Sequence, residues 1–184
     1  GREASAALED ARATVAESLG ARAEEIYFTR GGTESDNLAV LGRCRFLATQ
    51  HERLTLVVSA IEHSAVLDPA KLISERQGVD LITLPVSPEG VLNQELLRLA
   101  LESGPTVVSV MWVNNETGLV FPVPDISELV DDLGGTIHTD AVQAVGKIPV
   151  NVTDSSIHLL TATGHKMHGP KGTGILFVRT GLQL

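Results

Sequence analysis

The sequence predicts a three-layer α/β sandwich with a mostly parallel central sheet. Three observations carry that prediction. Short apolar runs alternate with helically spaced segments along the chain. The runs are near-continuous in apolar residues, as in strands covered on both faces. Several of them end in polar or glycine-rich exits, where open parallel sheets bind their ligands.

Residues 3 to 19 place Ala4, Ala7, Leu8, Ala11, Val15 and Leu19 at helical spacing, and Gly20 supplies the stop. Ile26 to Thr29 reads as a short buried strand running into Arg30-Gly31-Gly32-Thr33-Glu34-Ser35-Asp36-Asn37. A second helix is expected from Glu34 onward, on Leu38, Leu41, Cys44 and Phe46. Leu54 to Ser59 is the second strand, with Ile61-Glu62-His63-Ser64 as its exit. Ser64 is a candidate cap for a helix running to about Gln77.

Val79 to Leu84 reads as a strand, Pro85 to Gly90 as a turn, and Leu92 to Leu101 as a short helix. Thr106 to Val113 is a strongly apolar strand closed by Asn114-Asn115-Glu116-Thr117-Gly118. Pro122 to Pro124 reads as a rigid connector, with Asp125 capping a helix from Ile126 to Leu133 that ends at Gly134-Gly135. Thr136 to Thr139 is a strand ending at Asp140, and Ala141 to Val145 is a turn or short helix. Ile157 to Ala162 leads to Lys166, and after the Gly169-Pro170 turn comes a last apolar run, Ile175 to Val178.

Bulk properties narrow the function classes. The chain has 184 residues, 43% of them hydrophobic, which is a globular composition. Its net charge is −9, from 14 basic and 23 acidic residues, so a nucleic-acid partner is not expected. No apolar run approaches the ~18–20 residues of a membrane span, and Gly1-Arg2-Glu3-Ala4 is not the start of a signal peptide. The one cysteine, Cys44, excludes an internal disulfide and suggests a reducing compartment, with the cytoplasm as the expected location. Six histidines show no zinc spacing, and the glycines and proline around His165 and His168 argue against a ligand-bearing helix. No metal site is expected.

Five strand exits carry the polar residues: Gly31-Gly32-Thr33, Glu62-His63, Asn114-Asn115-Glu116, Asp140 with Gln143, and Thr163-Gly164-His165-Lys166. In a parallel sheet all five face one crevice. Gly32 and Thr33 open a helix, where free backbone N–H groups and the helix dipole suit a phosphate. Lys166, between a strand end and a tight turn, reads equally as a solvated loop lysine or as an amine made nucleophilic by desolvation in a pocket. Taken singly, His63 is as readily a structural histidine, Asp140 a helix cap and Asn115 a turn residue. The combination is what singles them out.

Together these segments closely resemble the pyridoxal-phosphate-dependent cysteine desulfurases and selenocysteine lyases of the class V aminotransferase group. The resemblance rests on Phe28-Thr29-Arg30-Gly31-Gly32-Thr33-Glu34-Ser35-Asp36-Asn37, Glu62-His63-Ser64-Ala65-Val66-Leu67 and Val113-Asn114-Asn115-Glu116-Thr117-Gly118. It extends through His138-Thr139-Asp140-Ala141-Val142-Gln143-Ala144-Val145-Gly146-Lys147 and Gly164-His165-Lys166-Met167-His168-Gly169-Pro170-Lys171-Gly172. They occur in the family's order and spacing.

The resemblance implies a set of roles. Lys166 would form the Schiff base with pyridoxal 5'-phosphate, and Asp140 would pair with the ring nitrogen. Gln143 would bond the ring's phenolic oxygen. His63 would stack on the ring and serve as acid and base. Gly32 and Thr33, with Thr163 and His165, would hold the phosphate, and Asn115 would lie against the cofactor. The implied reaction removes sulfur from cysteine, or selenium from selenocysteine, and leaves alanine. A homodimer and a sulfur- or selenium-acceptor protein are the implied partners.

The chain departs from the family pattern at Arg30, Thr163 and Val142, and none of these changes removes a required functional group. Members of the family are substantially longer than 184 residues. The resemblance therefore implies that residues 1–184 are a truncated fold-type-I large domain. The small C-terminal domain, the loop with the sulfur-accepting cysteine and the arginine for the substrate carboxylate would lie outside it. Cys44, at a helical position among apolar neighbours, reads as a packed thiol rather than that acceptor. Two other readings stay open: a catalytically incomplete cofactor-binding or scaffold fragment, and another class V enzyme such as an aminotransferase or a kynureninase-like hydrolase.

Overall fold

Gly20 ends the first helix as the sequence predicts. In the computed structural model, which describes residues 1–76 and 78–184, α1 (Arg2–Leu19) closes on Gly20 in the left-handed region at φ 68°. Helices and strands then alternate through β1 (Ile26–Thr29), α2 (Gly32–Ala48), β2 (Leu54–Ser59), α3 (Ser64–Ser74), β3 (Val79–Leu84), α4 (Gln94–Glu102), β4 (Thr106–Ser109), α5 (Val123–Asp132) and β5 (Thr136–Asp140), after which β6 (Leu159–Thr163) and β7 (Gly174–Val178) follow without an α-helix between them.

The strands form one sheet in the order β1-β7-β6-β5-β4-β2-β3. Pairing is parallel from β3 across to β6, while β7 runs antiparallel to both β6 and β1. Two reversals cancel, so β1 points the same way as β6. All strands except β7 therefore deliver their carboxyl ends to one edge of the sheet.

Helices cover both faces, which makes the expected three layers. On one side α1, α4 and α5 pack Leu19, Leu97, Ile126 and Val130 onto Val57, Val108, Ile137, Leu160 and Phe177. On the other, α2 and α3 pack Val40, Cys44, Val66 and Ile73 onto Leu56, Val58 and Val107, while Ala39 of α2 meets Leu159, Leu176 and Val178. Every residue of β2, β4, β5, β6 and β7 is buried, the two-sided cover that their apolar runs predict.

Several local expectations are corrected. β1 is an edge strand in which only Ile26 is buried, and Tyr27 is exposed. Leu38 is also exposed, because the buried face of α2 is instead Ser35, Asp36, Ala39, Val40, Cys44 and Leu47. Ser64 is the first residue of α3 and not its cap: His63 takes that position, its Nδ1 accepting from the Ala65 N–H at 3.1 Å. That helix ends at Ser74, and Gln77 lies outside the described residues.

Leu92 pairs with Val86 in an isolated bridge, so α4 starts later, with Asn93 accepting from the Leu96 N–H at 2.9 Å. Asp125 sits inside α5, whose N-terminal cap is Pro122, and Pro124 falls in its first turn. β4 stops at Ser109. Beyond it the Met111 N–H turns to the Glu62 carboxyl, although Val110 and Trp112 still donate to the β5 carbonyls of His138 and Asp140. β6 starts at Leu159, two residues after Ile157.

Candidate active site

Five loops leave the carboxyl edge of the sheet and enclose a cleft of about 260 Å³. The nine residues singled out in the sequence all line it: Gly32, Thr33, His63, Asn115, Asp140, Gln143, Thr163, His165 and Lys166. Asp36, Met111 and Val142 join them.

The β1 exit opens α2 at Gly32, with Gly31 as its cap. The Glu34 carboxylate turns back to accept from the Arg30 N–H at 2.6 Å, fixing the first turn. The N–H groups of Gly32 and Thr33 lie in that turn, where a helix offers no internal acceptor, and they suit an anion. Space here is tight. A Cβ on Gly32 would stand 3.0 Å from a Val142 methyl.

At the β2 exit, His63 uses Nδ1 as an acceptor for the α3 cap. A neutral ring then carries its hydrogen on Nε2. His63 therefore presents a donor, and it must give up that hydrogen or the cap before it can accept. At the β4 exit, Asn114 is the buried organiser and Asn115 the exposed neighbour that lines the cleft. The Asn114 Oδ1 accepts from Glu116 N–H at 3.0 Å and Thr117 N–H at 2.8 Å, and its Nδ2 donates to the Ile61 carbonyl at 3.0 Å. Glu116 is exposed on this turn and does not line the cleft.

Asp140 ends β5 at the cleft floor, buried, with Oδ1 accepting from the Val142 N–H at 2.9 Å. Burial raises its carboxyl above the usual aspartate range, while the Val142 N–H and the nearby His63 pull it back. Gln143 follows one turn later. Its Oε1 accepts from Lys147 Nζ at 2.6 Å, which leaves its NH₂ as the free donor.

At the β6 exit the Thr163 hydroxyl donates to the Thr173 carbonyl at 2.9 Å. Its single hydrogen is thereby used, so at 3.0 Å it accepts from His165 Nδ1–H. Thr163 in this arrangement orients His165, and its own donation to a phosphate would require turning away from Thr173. Lys166 closes the short 3-10 turn Gly164–Lys166 with its side chain exposed and no partner among the described residues. The desolvated pocket considered from the sequence is therefore not what surrounds this amine within residues 1–76 and 78–184. It lines the cleft from its mouth.

Reasoning from sequence missed the groups under the floor. Glu62 is fully buried, and its Oε1 accepts from Ser59 Oγ at 2.5 Å and from the Met111 N–H at 2.7 Å. Burial pushes its carboxyl up to about 8, against both donors. Asp36 is buried beside His138 and Thr161. Its signal was present: it lies four residues before Val40 and eight before Cys44, an acid on the apolar face of a helix.

The aminotransferase class-V family model matches residues 1–183. The cysteine desulfurase NifS of Azotobacter vinelandii is 45% identical over 182 residues, spanning 98% of this chain and 44% of that protein. The cysteine desulfurase IscS of Dictyoglomus turgidum is 40% identical over 184 residues, or 100% of this chain and 46% of that one. The chain thus spans about half the length of the curated relatives it matches. Among solved structures, a NifS-like protein superposes with a TM-score of 0.93 at 35% identity, covering 100% of this chain and 50% of the other. SspA in complex with cysteine gives 0.89 at 35% identity, covering 97% and 51%.

Proposed function

Because the chain belongs to the aminotransferase class-V family, we propose that it forms the cofactor-holding part of a pyridoxal-phosphate-dependent cysteine desulfurase. One observation carries the reading: separate strand exits bring an unpaired amine, a buried acid, a free amide donor, a histidine and a helix N-terminus to a single cleft.

Pyridoxal phosphate, when bound, supplies an aldehyde that takes up an amine and a ring that accepts electrons. The residues present fit it. Lys166 offers the amine. Asp140, anchored by the Val142 N–H, would hold a proton on a ring nitrogen. The Gln143 NH₂, left free by Lys147, would donate to a ring oxygen. The N–H groups of Gly32 and Thr33 would take the phosphate, with His165 oriented toward the same role by Thr163. Asn115 would lie against the cofactor. His63, with Nδ1 engaged at the α3 cap, would stack on the ring and use Nε2 for its acid and base role.

The relatives named cysteine desulfurase support cysteine over selenocysteine as substrate. In the reaction, cysteine and an acceptor thiol give alanine and a persulfide. Cys44 is not that thiol, because it is buried on α2 and burial pushes it up to about 12. The acceptor therefore comes from outside these residues, on another segment or a partner protein. A homodimer in the cytoplasm completes the reading. Among the described residues no helix is long and apolar enough to cross a membrane. The buried Cys44 also favours a second reading, in which these residues hold the cofactor without turning cysteine over.

The test adds pyridoxal phosphate to the purified chain beside Lys166→Ala. The chain should gain visible cofactor absorption that borohydride fixes covalently on Lys166, and the variant should lack the covalent product. A folded chain that takes up no cofactor refutes the proposal. Persulfide formed from cysteine with an added thiol acceptor separates turnover from holding alone.

A further inference from the structure

The cleft holds a carboxyl group that the chemistry above does not use. Asp36 is 1% exposed, lines the cleft, and leaves its Oδ1 without a hydrogen-bond partner among the described residues. It projects from α2 over a row of polar groups contributed by three neighbouring strands. His138 Nδ1 is 2.9 Å from Ser109 Oγ. His138 Nε2 is 3.0 Å from Thr161 Oγ1 and 3.5 Å from Asp36 Oδ1.

Each hydroxyl and each ring nitrogen in this row can donate or accept, so the row can run in two directions. With Thr161 donating to Nε2 and Nδ1–H donating to Ser109, the row offers Asp36 no hydrogen, which suits a protonated carboxyl. With the row reversed, His138 carries its hydrogen on Nε2, 3.5 Å from Asp36 Oδ1, which suits an ionised one. The ring is neutral in both, in keeping with burial that pushes it down to about 3.

Charge decides the direction. Asp36 faces Asp140 from β5 and Glu62 from the β2 exit, with neutral His138 beneath it. His63, His165 and Lys166 line the same cleft from the other exits. Asp140 has a backbone N–H donor and His63 nearby, whereas Asp36 has only the Thr161 hydroxyl to offset its burial and the charge of Asp140. Burial, and then the charge of Asp140, push the Asp36 carboxyl well above the usual range. Two acids whose surroundings differ in this way lose their protons in sequence, Asp140 first.

We propose that Asp36 is a positioning residue, kept as the neutral acid of an Asp36–Asp140 pair so that the single negative charge of the pair rests on Asp140. The direction of the Ser109–His138–Thr161 row then reports the protonation of Asp36. Confining the charge matters because Asp140 would meet the ring nitrogen, and that use rests on the cofactor reading above. The protonation pattern itself does not need the cofactor.

The test is therefore made on the chain without cofactor. Carbon-13 titration of the aspartate carboxyls should show one group that ionises well above the usual aspartate range and is missing from Asp36→Asn. In Asp140→Asn that group should ionise at lower pH, since its charged neighbour is gone. Nitrogen-15 spectra of His138 should switch from the Nδ1–H to the Nε2–H form as Asp36 ionises. The folded state holds this proton above the unfolded value, so the wild type should lose stability relative to Asp36→Asn as pH climbs from about 4. The loss is about tenfold in the folding constant per pH unit, up to the folded transition. An Asp36 that ionises in the ordinary range, or a transition unmoved by Asp140→Asn, overturns the proposal. These wild-type and Asp140→Asn readouts stand even if Asp36→Asn does not fold. Failure of the cofactor reading would look different: this titration intact, and no covalent capture on Lys166.

Discussion

Replacing Gly174 by alanine tests what holds the Gly32–Thr33 end of the cleft in place. Gly174 begins β7, in register with Thr29 of β1 on one side and Thr163 of β6 on the other. A Cβ there would stand 2.5 Å from both the carbonyl carbon and the oxygen of Gly31. Relaxed carbon contacts lie at about 3.5–4.0 Å, so β1 and β7 must part by about 1 Å. Overpacking of this kind costs about 1–3 kcal/mol. Alanine recovers about 0.4–1 kcal/mol by restricting the unfolded chain. The net loss should be about 1–2 kcal/mol, read as a lower urea midpoint at unchanged slope.

Gly31 also caps α2, so the first-turn N–H groups move with it. Losing one such bond to a charged phosphate costs about 1.5–3 kcal/mol. Pyridoxal-phosphate affinity in Gly174→Ala should therefore drop by about tenfold or more. Gly31→Ala is the control. Nothing lies within 4 Å of its added Cβ, and its backbone is extended at φ 163°. It should stay within about 0.5 kcal/mol of the parent. Equal stability and affinity in Gly174→Ala, or equal damage in Gly31→Ala, would refute the reasoning.

Two further outcomes are expected. Glu62 is pushed up to about 8, so its contribution to stability is complete below the unfolded carboxyl value and is lost as pH rises through about 8. Glu62→Gln does not titrate, but its NH₂ takes the place of Oε2, which has no hydrogen-bond partner among the described residues. The variant should be about 1–3 kcal/mol weaker near pH 5 and should overtake the wild type by pH 9, and parallel stability profiles would contradict this. Cys44, pushed up to about 12 from an ordinary 9, has about a thousandfold smaller thiolate fraction than a free thiol at pH 8. Alkylation should therefore track unfolding in denaturant, and rapid labelling of the folded chain would show that α2 opens.

Most of this architecture is legible because its signals are local. Five buried strands announce themselves as runs such as Leu54–Ser59 and Thr136–Asp140, which need no knowledge of their neighbours. What escapes depends on partners distant in sequence. The direction of β7 is set by its pairing with β1 and β6, and nothing in Gly174–Val178 encodes it. The α3 cap went to Ser64 on propensity, yet the backbone leaves Nδ1 of His63 beside the Ala65 N–H. The cleft residues were legible because each sits at a strand exit. The layer beneath was harder to read, since His138 and Thr161 fall inside strands where polar side chains carry no positional mark, and Asp36 shows only as an acid on the apolar face of α2.

The reversed strand β7 has a consequence for the order in which the molecule can be assembled. Ile26 pairs with Phe177, so the strand that feeds the Gly32–Thr33 end of the cleft closes a loop of about 150 residues. A chain emerging from the ribosome makes β1 and α2 early and β7 after every other strand of the sheet. Until then the β1 edge has no partner strand and the start of α2 is not fixed beside Lys166. The cleft thus forms only once β7 has docked, and a cofactor that spans its two ends would act after that step rather than as an early template for it.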